Sequence, residues 1–120
     1  MPYASVTSNV TRYSVDYSAA SAAIAKTLEE SLGFPAQFMM VELNLDVPMI
    51  LGLNDEPAAY AQVRCIGRID AERNPKTIAA LTKTISENLK VPAERLCVVL
   101  ESVEVGNWGA NGTTVIPPTN

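Results

Sequence analysis

Residues 22–43, AAIAKTLEESLGFPAQFMMVEL, align without a gap to residues 79–100, AALTKTISENLKVPAERLCVVL, at a constant offset of 57, and ten of the 22 positions are identical. Unrelated segments would share roughly one or two, so the chain is one unit written twice. The repeated stretch has room for a single helix followed by a single strand. Any fold for these 120 residues must therefore use that element pair twice.

Periodicity fills in the unit. Residues 3–7 read as a short strand, and the polar run after it delivers Ser14 or Asp16 as a helix cap. Ala20, Ile24, Leu28 and Leu32 recur every four residues on one helix face, which Gly33 and Pro35 bring to an end. In residues 38–45 the odd positions Met39, Val41, Leu43 and Leu45 are apolar, with Glu42 and Asn44 opposite, the alternation of a half-buried strand. A turn at 52–57 leads to a second alternating strand over 58–66. Asn74-Pro75 then supplies a cap and a first-turn proline for a helix with Ile78, Leu81, Ile85 and Leu89 on its apolar face, and residues 96–100 form a continuous apolar strand. Two βαβ units, spanning about residues 2–46 and 57–101, predict an α+β domain: a four-stranded sheet with both helices on one face. That domain covers residues 1–115, and 116–120, with Pro117-Pro118, read as a flexible tail. The other face of the sheet is expected to be apolar and to be covered by further copies of the chain in a cyclic homo-oligomer.

Composition removes several kinds of chemistry. There is no histidine, which excludes Ser-His-Asp and Cys-His catalysis and argues against the usual zinc sites. Cys65 and Cys97 stand 32 residues apart without a CxxC, and no phosphate-binding glycine loop occurs, so neither a metal nor an organic cofactor is expected. Nine basic residues, scattered singly against 13 acidic ones, give no nucleic-acid footprint. No stretch approaches the ~18–20 apolar residues of a membrane span. With no signal peptide visible, the expected location is cytoplasmic.

One residue can supply a base without histidine. Pro2 follows the initiator methionine, whose removal would leave a secondary amine. An ordinary α-amino group titrates at ~7.7–8.0. Desolvation disfavours the ammonium and moves the value toward neutrality, where the amine can act as a general base.

Met1-Pro2, Thr7-Ser8-Asn9-Val10, Gly33-x-Pro35, Phe38-Met39-Met40-Val41, Val47-Pro48-Met49, Glu56-Pro57-Ala58, Ile66-Gly67-Arg68-Ile69, Asn74, Pro92-x-x-Arg95 and Asn107-Trp108-Gly109-x-Asn111-Gly112-Thr113 follow one another in an order and spacing that resembles the macrophage migration inhibitory factor (MIF) family of the tautomerase superfamily. The resemblance runs from residue 1 to about 115 and implies a homotrimer of duplicated βαβ units. It implies cytosolic proteins or proteins that leave the cell without a signal peptide. Some are cofactor-free keto–enol tautomerases, intramolecular oxidoreductases acting on phenylpyruvate-like and dopachrome-like acids, and some are cytokine-like ligands of protein receptors.

Carried over by position, the resemblance makes Pro2 the catalytic base and Ile66 the pocket residue whose backbone meets the substrate. The remaining pocket positions depart from the family. Phe34 stands where a lysine usually holds the substrate carboxylate, Cys97 where a tyrosine crosses the trimer interface, and Val99 where some members have asparagine. Ala110 replaces the aromatic that follows Trp108-Gly109, Val115 replaces a phenylalanine, and Phe38 a tyrosine. Arg64, two residues before Ile66, is the first candidate for a replacement cation. The sequence thus predicts a tautomerase of weak or altered activity on a small enolisable carbonyl compound, with a non-catalytic interaction protein on the same trimer as the alternative.

Overall fold

The computed structural model describes residues 2–115; Met1 and the 116–120 segment read above as a tail lie outside the described residues. Strand β1 (Tyr3–Ser8) leads into helix α1 (Tyr17–Leu32), strand β2 (Met40–Asn44), strand β3 (Ala59–Cys65), helix α2 (Asn74–Leu89) and strand β4 (Leu96–Ser102). A small hairpin of β5 (Gly109–Ala110) and β6 (Thr113–Thr114) follows. The main sheet has the order β2-β1-β3-β4: β1 is parallel to β2, β3 is parallel to β4, and β1 meets β3 antiparallel. This is the expected four-stranded α+β architecture. Among the described residues no helix is long and apolar enough to cross a membrane.

The duplication is visible in three dimensions. Ala20, Ile24, Leu28 and Leu32 of α1 are buried, and so are Thr77, Leu81, Ile85 and Leu89 of α2, each 57 residues on. The helices touch through equivalent residues, with Thr27 Oγ1 2.6 Å from Thr84 Oγ1. In the sheet Ser5 pairs with Gln62, again its own counterpart. A local two-fold axis therefore runs through these two contacts. The expected core position Ile78 is corrected by the same symmetry: it is 36% exposed, and Thr77, the counterpart of Ala20, takes the inner position. Thr77 can be buried because its hydroxyl donates back to the Arg73 carbonyl at 3.3 Å.

Helix ends follow local chemistry. Asp16 caps α1 by accepting from the Ala19 N–H at 3.1 Å, and Gly33 ends it with φ +78°. The counterpart of Gly33 is Lys90, held at φ +61° in the same left-handed conformation. Asn74 does not cap α2; it lies within the helix, and its side chain accepts from the Asp70 N–H at 3.1 Å.

The second sheet face is not apolar, contrary to expectation. It carries Tyr3, Ser5 and Thr7 of β1, Glu42 and Asn44 of β2, Gln62 and Arg64 of β3, and Glu101 of β4, besides the apolar Met40, Tyr60, Cys97 and Val99. Asn44 Nδ2 donates to Ser5 Oγ at 3.2 Å, and Arg64 Nε to Glu101 Oε1 at 2.8 Å. Period-two alternation sends the apolar half of each strand to the helices and leaves the polar half outside. Further exposed apolar surface lies in the loop between β2 and β3, where Ile50 is 68% and Leu53 95% exposed. That loop is firmly held. Asn9 Nδ2 donates to the Met49, Asp55 and Glu56 carbonyls, and Arg95 donates to those of Leu51, Glu56 and Pro57.

A non-glycine residue in the left-handed region costs about 1 kcal/mol, part of which glycine returns through the entropy of its unfolded chain. Lys90→Gly is therefore expected to stabilise the protein by about 0.5–1 kcal/mol in urea denaturation at fixed protein concentration. A fall in stability would contradict the helix-end account.

Candidate active site

Pro2 heads the central strand pair. Its carbonyl accepts from the Met40 N–H at 3.2 Å, which fixes the start of β1 against β2. The buried residues of β1 are Ala4, Val6 and Ser8, so Pro2, itself fully buried, continues the row that faces the helices. One step beyond the Tyr3–Arg64 pair, the antiparallel register brings Pro2 abreast of Cys65. The Cys65 side chain is inaccessible, and burial pushes its thiol above the ordinary cysteine range. It forms an apolar, inert wall beside the proline.

After Cys65 the chain turns sharply. Ile66 is half-buried at the end of β3, and Gly67 and Arg68 follow at φ +75° and +62°. Two successive left-handed residues fold Arg68 back over the end of α1. Its guanidinium lies 5.7 Å from the centre of the Phe34 ring, and Nη1 is 3.5 Å from the Leu32 carbonyl oxygen. Gly33 eases this approach as well as the helix end, since a Cβ there would stand a tight 3.2 Å from Arg68 Nη1. Phe34 packs partly buried against the core.

On the polar sheet face, an open cleft of about 680 Å³ begins at Tyr3 and is walled by Phe38, Met40, Arg64, Trp108 and Ala110. Trp108 reaches it because the turn Val105–Asn107 and the β5–β6 hairpin bring the chain back to the sheet, with the Val115 N–H donating to the Trp108 carbonyl at 2.9 Å. Tyr3 donates to Glu42 Oε1 at 2.5 Å, and this carboxylate partner raises the phenol above its usual range. Arg64 is ion-paired with Glu101.

The residues singled out from sequence thus fall into three groups. Phe38, Arg64, Trp108 and Ala110 share the open cleft. Pro2 and Ile66 lie at the head of β1, Phe34 packs under Arg68 at the end of α1, and Val115 is tied to Trp108. Cys97 and Val99 belong to neither group within one subunit. Cys97 pairs with Tyr60 and lies four residues, ~13 Å along the strand, from Glu101, the partner of Arg64. Sequence reasoning passed over Tyr3 and Arg68. The second was within reach, because Ile66-Gly67-Arg68 carries a glycine where a chain reverses, but its landing on Phe34 depends on tertiary packing.

The duplicated unit with a proline heading its central strand defines a class of small α+β proteins, and comparison places the chain within it. The family profile described as macrophage migration inhibitory factor (MIF) matches residues 1–116. A macrophage migration inhibitory factor homolog of Brugia malayi is 25% identical over 114 residues, covering 95% of this chain and 98% of that protein. The macrophage migration inhibitory factor of Xenopus laevis is 28% identical over the same coverage. Among solved structures, the macrophage migration inhibitory factor homologue of Prochlorococcus marinus superposes with a TM-score of 0.86 at 30% identity, covering 93% of this chain and 97% of that one. That of Trichinella spiralis gives 0.90 at 24% identity, covering 94% and 99%, a likeness of fold. The chain belongs to the macrophage migration inhibitory factor family.

Proposed function

We propose that the protein is a keto–enol tautomerase whose base is the amine of Pro2. The observation that carries this reading is the burial of Pro2 at the head of the central strand, between the inert Cys65 and the turn at Ile66. With Met1 removed, the neutral amine takes the proton from the carbon next to a carbonyl. The C–H pair becomes the C=C bond, and the carbonyl oxygen takes up a proton to become the enol; the reverse sequence restores the ketone. The step needs no electron acceptor and no cofactor. The apolar Phe34 suits an aryl-bearing substrate, and phenylalanine at this position predicts activity altered from that of relatives with lysine there.

General-base catalysis contributes ~10²–10⁴-fold. Pro2→Gly is accordingly expected to lower kcat/KM for enolisation of an aryl keto acid by about 10²-fold or more, and retention of Met1, which turns Pro2 into an amide, to abolish it. Turnover untouched by either change would overturn the assignment of the base, whereas no turnover in the parent lacking Met1 would favour a non-catalytic interaction protein.

We further propose that the working assembly is a homotrimer. The firmly held apolar loop at Ile50 and Leu53 and the outer edges of β2 and β4, unpaired among the described residues, support association of copies, and a neighbour could bring Cys97 and Val99 to the site they do not reach within their own subunit. Static light scattering at micromolar concentration is expected to return about three times the 12.9 kDa chain mass. Ile50→Asp with Leu53→Asp is expected to reduce it, and a monodisperse parental monomer would refute the assembly.

A further inference from the structure

We propose that Arg68, stacked on Phe34, is the residue that receives the carboxylate of an acidic substrate, so that this chain takes a keto acid through a cation supplied from the β3–α2 turn. The inference rests on the reading of Pro2 as the site and names the residue that anchors the acid of its substrate.

Two arginines stand near the head of β1, and the sheet separates them. Arg64 alternates with the buried Val63 and Cys65 and therefore points to the polar face, away from the helix-facing row that includes Pro2. It is also neutralised by Glu101 at 2.8 Å. Arg68 lies on the helix side, against the end of α1. It is solvent-exposed, and among the described residues it makes no ion pair. Its field reaches the Cys65 thiol, which it biases toward the thiolate, and Cys65 is the residue abreast of Pro2.

The guanidinium is also presented in a fixed pose. The left-handed pair Gly67 and Arg68 sets its direction, the Phe34 ring lies under it, and the Leu32 carbonyl touches one amino group at the long limit of a hydrogen bond. Among the described residues most of its five donors remain open, enough for the two parallel bonds of a carboxylate fork. A phenylalanine at position 34 is then a platform for the cation.

The test is direct binding of 3-phenylpropanoate and of 3-phenylpropanamide, followed calorimetrically in the assembled protein. A charge-assisted contact predicts that the parent prefers the acid by roughly 10-fold or more. In Arg68→Gln the preference is expected to fall to about one, and in Arg68→Lys, which keeps the charge, to return in part. Retention of the preference in Arg68→Gln overturns the proposal, as does a parent that binds both alike or neither. Loss of preference in Arg64→Gln with retention in Arg68→Gln overturns it in favour of Arg64. Because binding is read without turnover, failure of Pro2→Gly to lower activity would count against the base and leave this ratio standing.

Discussion

The antiparallel pairing of β1 with β3 is the contact on which the rest of the molecule depends. Each of these strands carries its own parallel partner outward and its own helix above, so joining them joins the two copies of the repeat into one sheet and one helical layer. The join is made between equals. Ser5 faces Gln62, and Thr27 meets Thr84, so at both crossings of the local axis a residue confronts its own counterpart. A threonine hydroxyl can donate and accept at once and therefore pairs with another threonine. Lysine at such a position would repel its twin.

Symmetry supplies the frame and the end of the chain breaks it. The counterpart of Pro2 is Ala59, whose nitrogen is an amide within the chain and cannot serve as a base. The counterpart of Gly33 is Lys90, and that of Phe34 is Val91, which is buried. At one end of the sheet the two halves meet a fixed loop held by Asn9 and Arg95, and at the other they meet the proline, a left-handed turn and a stacked arginine. Duplication thus gives stability to both halves, while the proposed chemistry would belong to the one half that begins the chain.

The fold was legible because the repeat and the helical periodicity report on the same physical requirement, burial of one stripe per helix and one face per strand. Thr77 and Ile78 mark the limit of that logic. Hydropathy favours isoleucine for the core, but the repeat register assigns the inner position to Thr77, whose hydroxyl is satisfied by its own helix. The polar sheet face was open to the same reading, since Ser5, Thr7, Gln62 and Arg64 alternate with apolar neighbours. The expectation of an apolar face followed from placing both helices on one side of the sheet; in the edge strand β4, read as a continuous apolar run, the apolar residues in fact divide between the two faces. At the candidate site, Pro2 stood out as a possible base from its place in the chain. The surroundings of Arg64 and Arg68 were not legible, because alternation along a strand says which face a side chain takes only once the neighbouring register is known, and stacking on Phe34 joins residues 34 positions apart.

The central claim is that the head of β1 holds a neutral amine poised for proton transfer. Titration of the Pro2 nitrogen by ¹⁵N NMR in protein lacking Met1 tests it most directly. The account predicts a midpoint clearly below the ordinary α-amino range of ~7.7–8.0, since apolar walls penalise the ammonium. A midpoint within or above that range would contradict it.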